Sequence, residues 1–212
     1  RSVASQPAAA ATMTIALLTV LGFASGSVPY AWLLGRWRLG RDIRSIGDGN
    51  PGATNVLRAG DARLFLVAAL LDGFKGAIPV ALAYWGLQIR GWELVPIAVA
   101  PLLGHAFSPW LKGHGGKAVA TTFGIWAGLT GPVAPIVFGA LLGTWFWALA
   151  PSGWALLAAF ACLGLHLALS SAEPAFGAIW LANAALLAWK YRQDLAILPR
   201  LRVERVAAWL HH

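Results

Sequence analysis

Long apolar runs recur along the whole chain, and most are close to the length that a helix needs to cross a bilayer, about 20 residues. Only 11% of the 212 residues are charged and 58% are hydrophobic, whereas a soluble domain is about one-quarter charged. The chain therefore lacks the polar surface to face water on all sides. The sequence predicts an all-α, polytopic membrane protein. We place about seven transmembrane helices at residues 14–35, 62–87, 94–111, 118–130, 132–150, 152–171 and 174–190.

These helices predict a single integral-membrane domain over residues 13–190. Met13 is the only methionine, so we expect the natural start there and expect residues 1–12 to be a disordered extension or one added by cloning. Residues 191–212 are predicted to form a basic cytoplasmic tail. Cys162 is the only cysteine, so an intramolecular disulfide is excluded. We expect no metal and no cofactor.

Basic residues collect on one side of this predicted array. Residues 36–61, the first loop, carry five arginines, whereas the opposite side offers little besides Arg90. Short loops rich in Lys and Arg stay in the cytoplasm, so we expect the first loop to face it. The net charge of +8 is then explained by topology and by attraction to anionic lipids. Nucleic acid is not expected as a partner, because the basic residues form no separate domain.

The first loop contains the stretch IGDGNPGATN, and Arg58 lies three residues after its end. Its glycines let a ligand approach the backbone closely, and successive N–H groups in such turns bind anions. A simple connector between helices would also use glycines, but it would not need amides, a hydroxyl and a guanidinium together. The residues that offer this chemistry are Gly47, Gly49, Asn50, Gly52, Thr54, Asn55 and Arg58.

Residues 112–117, the second loop, repeat this chemistry immediately before an apolar helix. Gly115, Gly116 and Lys117 lie next to a predicted helix N-terminus, which favours phosphate. This is not a Walker loop, because Leu111 replaces the required glycine and Ala118 replaces the Ser or Thr that would hold magnesium. Two such loops on one face predict a ligand with more than one phosphate group, or two phosphorylated ligands.

Asp72 and Lys75 lie inside a predicted membrane helix, in the stretch LLDGFKGAIPV. Their i,i+3 spacing puts them on one face of the helix, and charges in a bilayer are costly unless they are paired and turned inward. One interpretation is a structural ion pair. The other is that Lys75 reaches the polar loops and adds a cation to their site.

The motifs IGDGNPGATN, LLDGFKGAIPV and GHAFSPWLKGHGGKAVAT resemble those of the bacterial acyl-phosphate:glycerol-3-phosphate acyltransferases, the PlsY family. The resemblance is strongest over residues 26–124. It implies a seven-helix enzyme of phospholipid biosynthesis in the bacterial inner membrane, with its site at the cytoplasmic face. Such an enzyme transfers a fatty acyl group from acyl phosphate to the 1-hydroxyl of sn-glycerol 3-phosphate, giving lysophosphatidic acid and phosphate. We expect it to act as a monomer.

The resemblance also implies roles for particular residues. Because an acyl phosphate is already activated, no covalent nucleophile is required, and positioning with electrostatic stabilisation supplies the acceleration. Catalysis is assigned to Lys117, Asn50 and Arg58. Substrate binding is assigned to Gly47, Asp48, Gly49, Gly52, Thr54, Asn55, Lys75, His105, Gly115, Gly116, Thr121 and Arg192.

The chain departs from the family pattern at Asp48, where Ser is usual. An anion beside a phosphate site needs a compensating cation. We therefore predict a salt bridge from Arg44 or Arg58 to Asp48, with the bidentate geometry that suits a carboxylate. We also predict that the two loops touch. In the C-terminal motif Arg192 is retained, whereas its neighbours differ from the family.

These departures leave two other functions open. One is a divergent paralogue that acylates another polar acceptor. The other is a non-enzymatic transporter that binds phospholipid or phosphate. A transporter is expected to carry polar interruptions near the membrane midplane, whereas the polar groups of this chain cluster on one face.

Overall fold

The computed structural model describes residues 8–170 and 173–202. Their α-helices are α1 Ala8–Ser27, α2 Tyr30–Arg38, α3 Ala53–Arg58, α4 Ala62–Ala81, α5 Leu94–Ala106, α6 Val119–Thr130, α7 Val133–Ala148, α8 Ser152–Ser170, α9 Pro174–Lys190 and α10 Arg192–Leu195. A π-helical turn, Leu82–Gly86, extends α4, and 3-10 turns occur at Ile43–Ser45, Gly91–Glu93 and Pro109–Leu111. The strands β1 Leu149–Ala150 and β2 Arg200–Leu201 pair antiparallel. The chain divides into two compact units, Arg1–Leu129 and Thr130–His212.

Each of the seven segments predicted to span the membrane is mostly helical within the described residues, and the all-α prediction is confirmed. By length and composition, four helical stretches there can cross a bilayer: Ala8–Arg38, Ala62–Gly86, Gly91–Leu111 and Ser152–Ser170. Val119–Thr130 and Val133–Ala148 are shorter and also apolar. Their lengths agree with the short span expected at 118–130.

The first predicted span, 14–35, starts earlier in the structure, ends later and is broken within. It divides into α1 and α2 near Pro29, because proline has no N–H to continue the helical ladder. Helix α1 begins at Ala8, so the predicted disorder is wrong for residues 8–12, where a run of four alanines favours helix. Residues 1–7 lie outside the described part of the chain.

Small residues set the close packing of the first unit. A Cβ atom at Gly26 would overlap the backbone of Pro101, and one at Gly104 would overlap the carbonyl of Phe23. Helices α1 and α5 therefore approach to backbone contact, as small residues allow between membrane helices. Helices α4 and α6 also approach closely at Gly76, where an added Cβ would lie 2.8 Å from the backbone oxygen of Thr121. These contacts hold together the helices from which the two loops emerge.

Asp72 and Lys75 form a buried ion pair within the first unit. Lys75 Nζ lies 2.7 Å from Asp72 Oδ1, and the two residues are 4% and 2% exposed. Lys75 Nζ also donates to the carbonyl of Val28, at the break between α1 and α2, over 2.8 Å. Thr121 Oγ1 donates to the carbonyl of Asp72 over 3.0 Å. The pair therefore joins α4 to the α1–α2 break, and its helix is bonded to α6.

The predicted tail is partly folded in the second unit. Asp194 Oδ2 accepts hydrogen bonds from Ser152 Oγ and from the backbone N–H of Gly153, each over 2.8 Å. Both donors belong to the first turn of α8, whose unpaired N–H groups favour an anion. Strand β2 then pairs with β1. Residues 191–202 are thus tied to the helices of this unit, and residues 203–212 lie outside the described part of the chain.

Candidate functional site

The two loops of the first unit meet at Asp48. Lys117 Nζ of the second loop donates to Asp48 Oδ2 over 2.9 Å. Arg58 Nη1 of the first loop donates to Asp48 Oδ1 over 3.2 Å. The prediction that the loops lie on the same side and touch is confirmed, and their contact is a carboxylate shared by two cations.

Asn55 organises the first loop from within. This residue is 1% exposed, and its Nδ2 donates to Asp48 Oδ1 over 3.1 Å and to the carbonyl of Asn50 over 2.8 Å. Its Oδ1 accepts a hydrogen bond from Arg58 Nη1 over 2.9 Å. Both ends of one buried amide are therefore used, and they set the positions of the loop backbone and of the guanidinium.

Gly47 makes room for this arrangement. Its φ is +61°, in the left-handed region that glycine enters at no steric cost. A Cβ atom there would lie 2.7 Å from Asn55 Oδ1 and would overlap the guanidinium of Arg58. The loop thus requires glycine at 47 for two independent reasons.

We expect Gly47→Ala to lower the stability of the loop and to displace Arg58, and Gly40→Ala is its matched control. Gly40 also has a φ of +61°, but a Cβ atom there would meet no other atom within 4 Å, so both variants carry a similar left-handed strain of about 1–2 kcal/mol. Only Gly47→Ala adds the collision. Limited proteolysis of the loop should therefore be faster for Gly47→Ala than for Gly40→Ala; equal rates would mean that the Asn55 contact does not hold the loop.

Arg44 has a different partner from the one that the sequence suggested. Its Nε and Nη2 form a bidentate pair with Asp42, at 3.0 Å and 2.6 Å. These hydrogen bonds, opposed by partial burial, hold the pKa of Asp42 well below its usual range. The predicted salt bridge from an arginine to Asp48 is confirmed for Arg58, but the predicted bidentate geometry is wrong, because a single nitrogen makes that contact.

The charge of Asp48 is stabilised chiefly by the second loop. Partial burial opposes its ionisation, but the hydrogen bond and the positive charge of Lys117 outweigh that effect, so the pKa of this carboxyl lies below its usual value. Asp48 is therefore ionised at neutral pH, and a carboxylate with a lowered pKa is a weak general base. Together with Arg58 and Lys117 it forms a cluster with a net charge of +1.

The glycines of the second loop pack against the end of α5. The N–H of Gly115 donates to the carbonyl of Ala106 over 3.2 Å, and that of Gly116 donates to the carbonyl of His105 over 3.1 Å. A Cβ atom on Gly116 would overlap the His105 ring. In this structure both N–H groups bond to protein carbonyls, so Lys117 is the residue through which the second loop reaches Asp48.

His105 lies beneath this loop and close to the buried ion pair. It is 8% exposed, and its Nδ1 lies 3.9 Å from Asp72 Oδ1. The residue after Lys117 is Ala118, whose φ of +61° places a side chain in the left-handed region at a cost of about 1–2 kcal/mol. Glycine enters this region at no steric cost, so the backbone at position 118 suits glycine better than alanine.

The remaining predicted residues of the first unit fall into two places. Gly49, Gly52 and Thr54 belong to the first loop, where Thr54 is exposed on α3. Lys75 and Thr121 are buried on α4 and α6 and bond to Asp72 or its carbonyl. The structure therefore places these two in the helix packing beneath the loops.

Arg192 lies in the second unit. Its Nη1 donates to the carbonyl of Trp189 over 3.0 Å, and its guanidinium lies over the Trp189 ring at 5.0 Å from the centroid. Asp42, which sequence analysis did not single out, is the partner of Arg44. The signal for it was local, because an Asp two residues before an N–H group commonly accepts from that group.

The family model and the similar proteins all carry the name glycerol-3-phosphate acyltransferase. The family described as glycerol-3-phosphate acyltransferase matches residues 16–200. A glycerol-3-phosphate acyltransferase of Myxococcus xanthus is 38% identical over 193 residues, covering 91% of this chain and 99% of that protein. Another from Anaeromyxobacter sp. is 34% identical over 200 residues, covering 90% and 95%.

A solved structure has a similar fold. The crystal structure of PlsY (YgiH), an integral membrane glycerol 3-phosphate acyltransferase in its glycerol 3-phosphate form, matches with a TM-score of 0.79 and 26% identity. The match covers 86% of this chain and 90% of that one.

Proposed function

Because this chain belongs to the glycerol-3-phosphate acyltransferase family of PlsY, we propose that it transfers a fatty acyl group from acyl phosphate to the 1-hydroxyl of sn-glycerol 3-phosphate. The products are lysophosphatidic acid and inorganic phosphate. The chain is a multi-pass membrane protein and an acyltransferase by family. The proposal concerns the identity of the acyl donor, the acceptor hydroxyl and the lipid product.

The observation that carries the proposal is the convergence of both loops on one carboxylate. Lys117 and Arg58 approach Asp48 from the second and first loops, at 2.9 Å and 3.2 Å. Both proposed substrates carry a phosphate, and a pair of cations on adjoining loops suits two such groups. Lys117 also lies two residues before α6, and a helix N-terminus adds favourable charge for a phosphate.

The chemistry needs little from the protein beyond charge and position. The 1-hydroxyl oxygen attacks the acyl carbonyl carbon, the new ester C–O bond forms, and the bond from that carbon to the phosphate oxygen breaks. The phosphate leaves with the electron pair and accepts the hydroxyl proton. Negative charge grows on the carbonyl oxygen and on the departing phosphate, where Lys117 and Arg58 stabilise it. Asn50 and Asn55 orient the loop groups that hold the acceptor.

The proposal includes a location. Arginines are concentrated in the first loop, and such loops remain in the cytoplasm. We place the site at the cytoplasmic face of a bacterial inner membrane, where a water-soluble glycerol phosphate and a lipid-soluble acyl chain can both reach it.

Purified protein in detergent tests this proposal. With palmitoyl phosphate and glycerol 3-phosphate, we expect phosphate release and lysophosphatidic acid in a 1:1 ratio, the latter measured by mass spectrometry. Palmitoyl-coenzyme A in place of palmitoyl phosphate is the donor control and should support little transfer. Turnover with another polar acceptor but not with glycerol 3-phosphate would establish the divergent paralogue. No transfer to any acceptor would contradict an acyltransferase.

A further inference from the structure

Asp48 receives the set of donors that an anionic ligand would receive. Its Oδ2 accepts from Lys117 Nζ at 2.9 Å. Its Oδ1 accepts from Arg58 Nη1 at 3.2 Å, from Asn55 Nδ2 at 3.1 Å and from the backbone N–H of Asn50 at 3.3 Å. Two cations and two neutral donors therefore converge on one carboxylate.

We infer that the Asp48 carboxylate is a built-in competitor of the substrate phosphate, so that Asp48 sets the affinity of the site for phosphorylated substrates. The inference rests on the proposed function in taking a phosphate group as the ligand. Two anions that share Lys117 and Arg58 repel one another. A phosphate must therefore displace the carboxylate from at least one of these cations.

A purely structural role explains the contacts less well. The first loop is already tied together without Asp48, because Asn55 bonds to the carbonyl of Asn50 at 2.8 Å and to Arg58 at 2.9 Å. The Asp48 side chain is also 39% exposed, whereas a carboxylate that supports a fold is usually enclosed by its partners. A carboxylate with this exposure has solvent to move into when another anion takes its donors.

The expected effect follows from competition. When only a fraction of the protein can bind a ligand, the apparent dissociation constant rises by the reciprocal of that fraction. A carboxylate that holds the donors about nine-tenths of the time weakens phosphate binding about tenfold. Removing its charge should recover that factor.

The experiment compares inorganic phosphate binding to purified wild type, Asp48→Asn and Asp42→Asn by isothermal titration calorimetry in detergent. Asparagine keeps the shape of Asp48 and can still accept from the N–H of Asn50, but it carries no charge. Asp42→Asn is the matched control: it removes one carboxylate from the same loop, paired with Arg44 rather than Lys117. We expect a Kd about tenfold lower for Asp48→Asn and no change for Asp42→Asn.

An equal or higher Kd for Asp48→Asn would overturn the inference and would mean that Asp48 holds Lys117 and Arg58 in place. The absence of phosphate binding by both wild type and Asp48→Asn would also overturn it. Asp48→Ser provides a second uncharged variant if Asp48→Asn does not fold, and failure of both to fold would assign Asp48 to structure. If Asp42→Asn lowered Kd by the same factor as Asp48→Asn, the cause would be the total charge of the loop, and the inference about Asp48 would be overturned.

Kinetics separate this inference from the proposed function. If wild type transfers the acyl group, Asp48→Asn should lower KM for the substrate whose phosphate competes with Asp48. Separate KM values for palmitoyl phosphate and glycerol 3-phosphate identify which one that is. If wild type transfers nothing while Asp48→Asn still binds phosphate more tightly, the proposed function fails and the competition by Asp48 stands.

Discussion

Lys117→Ala should lose most of the phosphate-release activity, by about 10²–10³-fold in kcat, the effect of removing one preorganised group from a site of charge development. Lys117 is the residue through which the second loop reaches the first, by a contact of 2.9 Å to Asp48. In the proposed mechanism, its removal takes away the positive charge that stabilises the departing phosphate. The Lys117 side chain is 25% exposed, so the variant loses some packing as well as the charge. Release of phosphate from palmitoyl phosphate, followed over time in detergent, measures the loss.

Lys112→Gln is the matched control for charge in the same loop. Lys112 is exposed, and its side chain makes no ion pair with any residue that the structure describes, so its removal should leave turnover within about twofold of wild type, as for most surface substitutions. Lys117→Arg keeps the charge in a different shape and should retain part of the activity. Near wild-type activity in Lys117→Ala, with the protein still folded, would show that the second loop is only structural.

Lys75→Met should destabilise the protein by about 3–5 kcal/mol, the cost of leaving a buried charge without its partner. Asp72 is 2% exposed, and Lys75 Nζ is 2.7 Å from its carboxylate. The substitution also removes the donor to the carbonyl of Val28. Methionine keeps the length and the apolar stem of lysine, so the effect reports the charge rather than a cavity. Unfolding in increasing SDS, followed by tryptophan fluorescence, measures it.

The double variant Asp72→Asn/Lys75→Met tests the cause of that loss. It leaves no unpaired charge, so it should regain most of the stability lost in Lys75→Met. A double variant no more stable than Lys75→Met would show that the ion pair is not the reason. A stable double variant that transfers no acyl group would favour the other interpretation of Lys75, as a cation of the substrate site.

The helical membrane fold follows from the sequence by itself. An apolar run of about 20 residues can satisfy its backbone inside a bilayer as a helix, and each of the seven runs is mostly helical over the residues that the structure describes. The residue types of the two loops also point to anion binding without a structure, since glycine next to amides and cations suits a phosphate. The break at Pro29 did not follow from residue type alone, because α4 and α5 continue through Pro79 and Pro101.

Only the tertiary structure decided which groups meet Asp48 across the two loops. Arg44 and Arg58 both lie near Asp48 in sequence. Arg44 nevertheless pairs with Asp42 in a local turn, where the backbone N–H and the guanidinium of Arg44 both donate to the Asp42 carboxylate. Arg58 reaches Asp48 because α3 sets it three residues after Asn55, on the same helical face. Lys117 is 69 residues from Asp48 along the chain, so no local pattern could have paired them.

The same reason applies to the residues whose role the sequence left open. The spacing of Asp72 and Lys75 predicted a shared face, but their burial and the bond to the α1–α2 break depend on how α1 packs against α4. Gly115 and Gly116 suggested N–H groups for a phosphate, and the folded chain directs those groups to carbonyls at the end of α5. The sequence determines which residue types each segment offers. Helix packing brings distant segments into contact and thereby decides the partners of groups such as these.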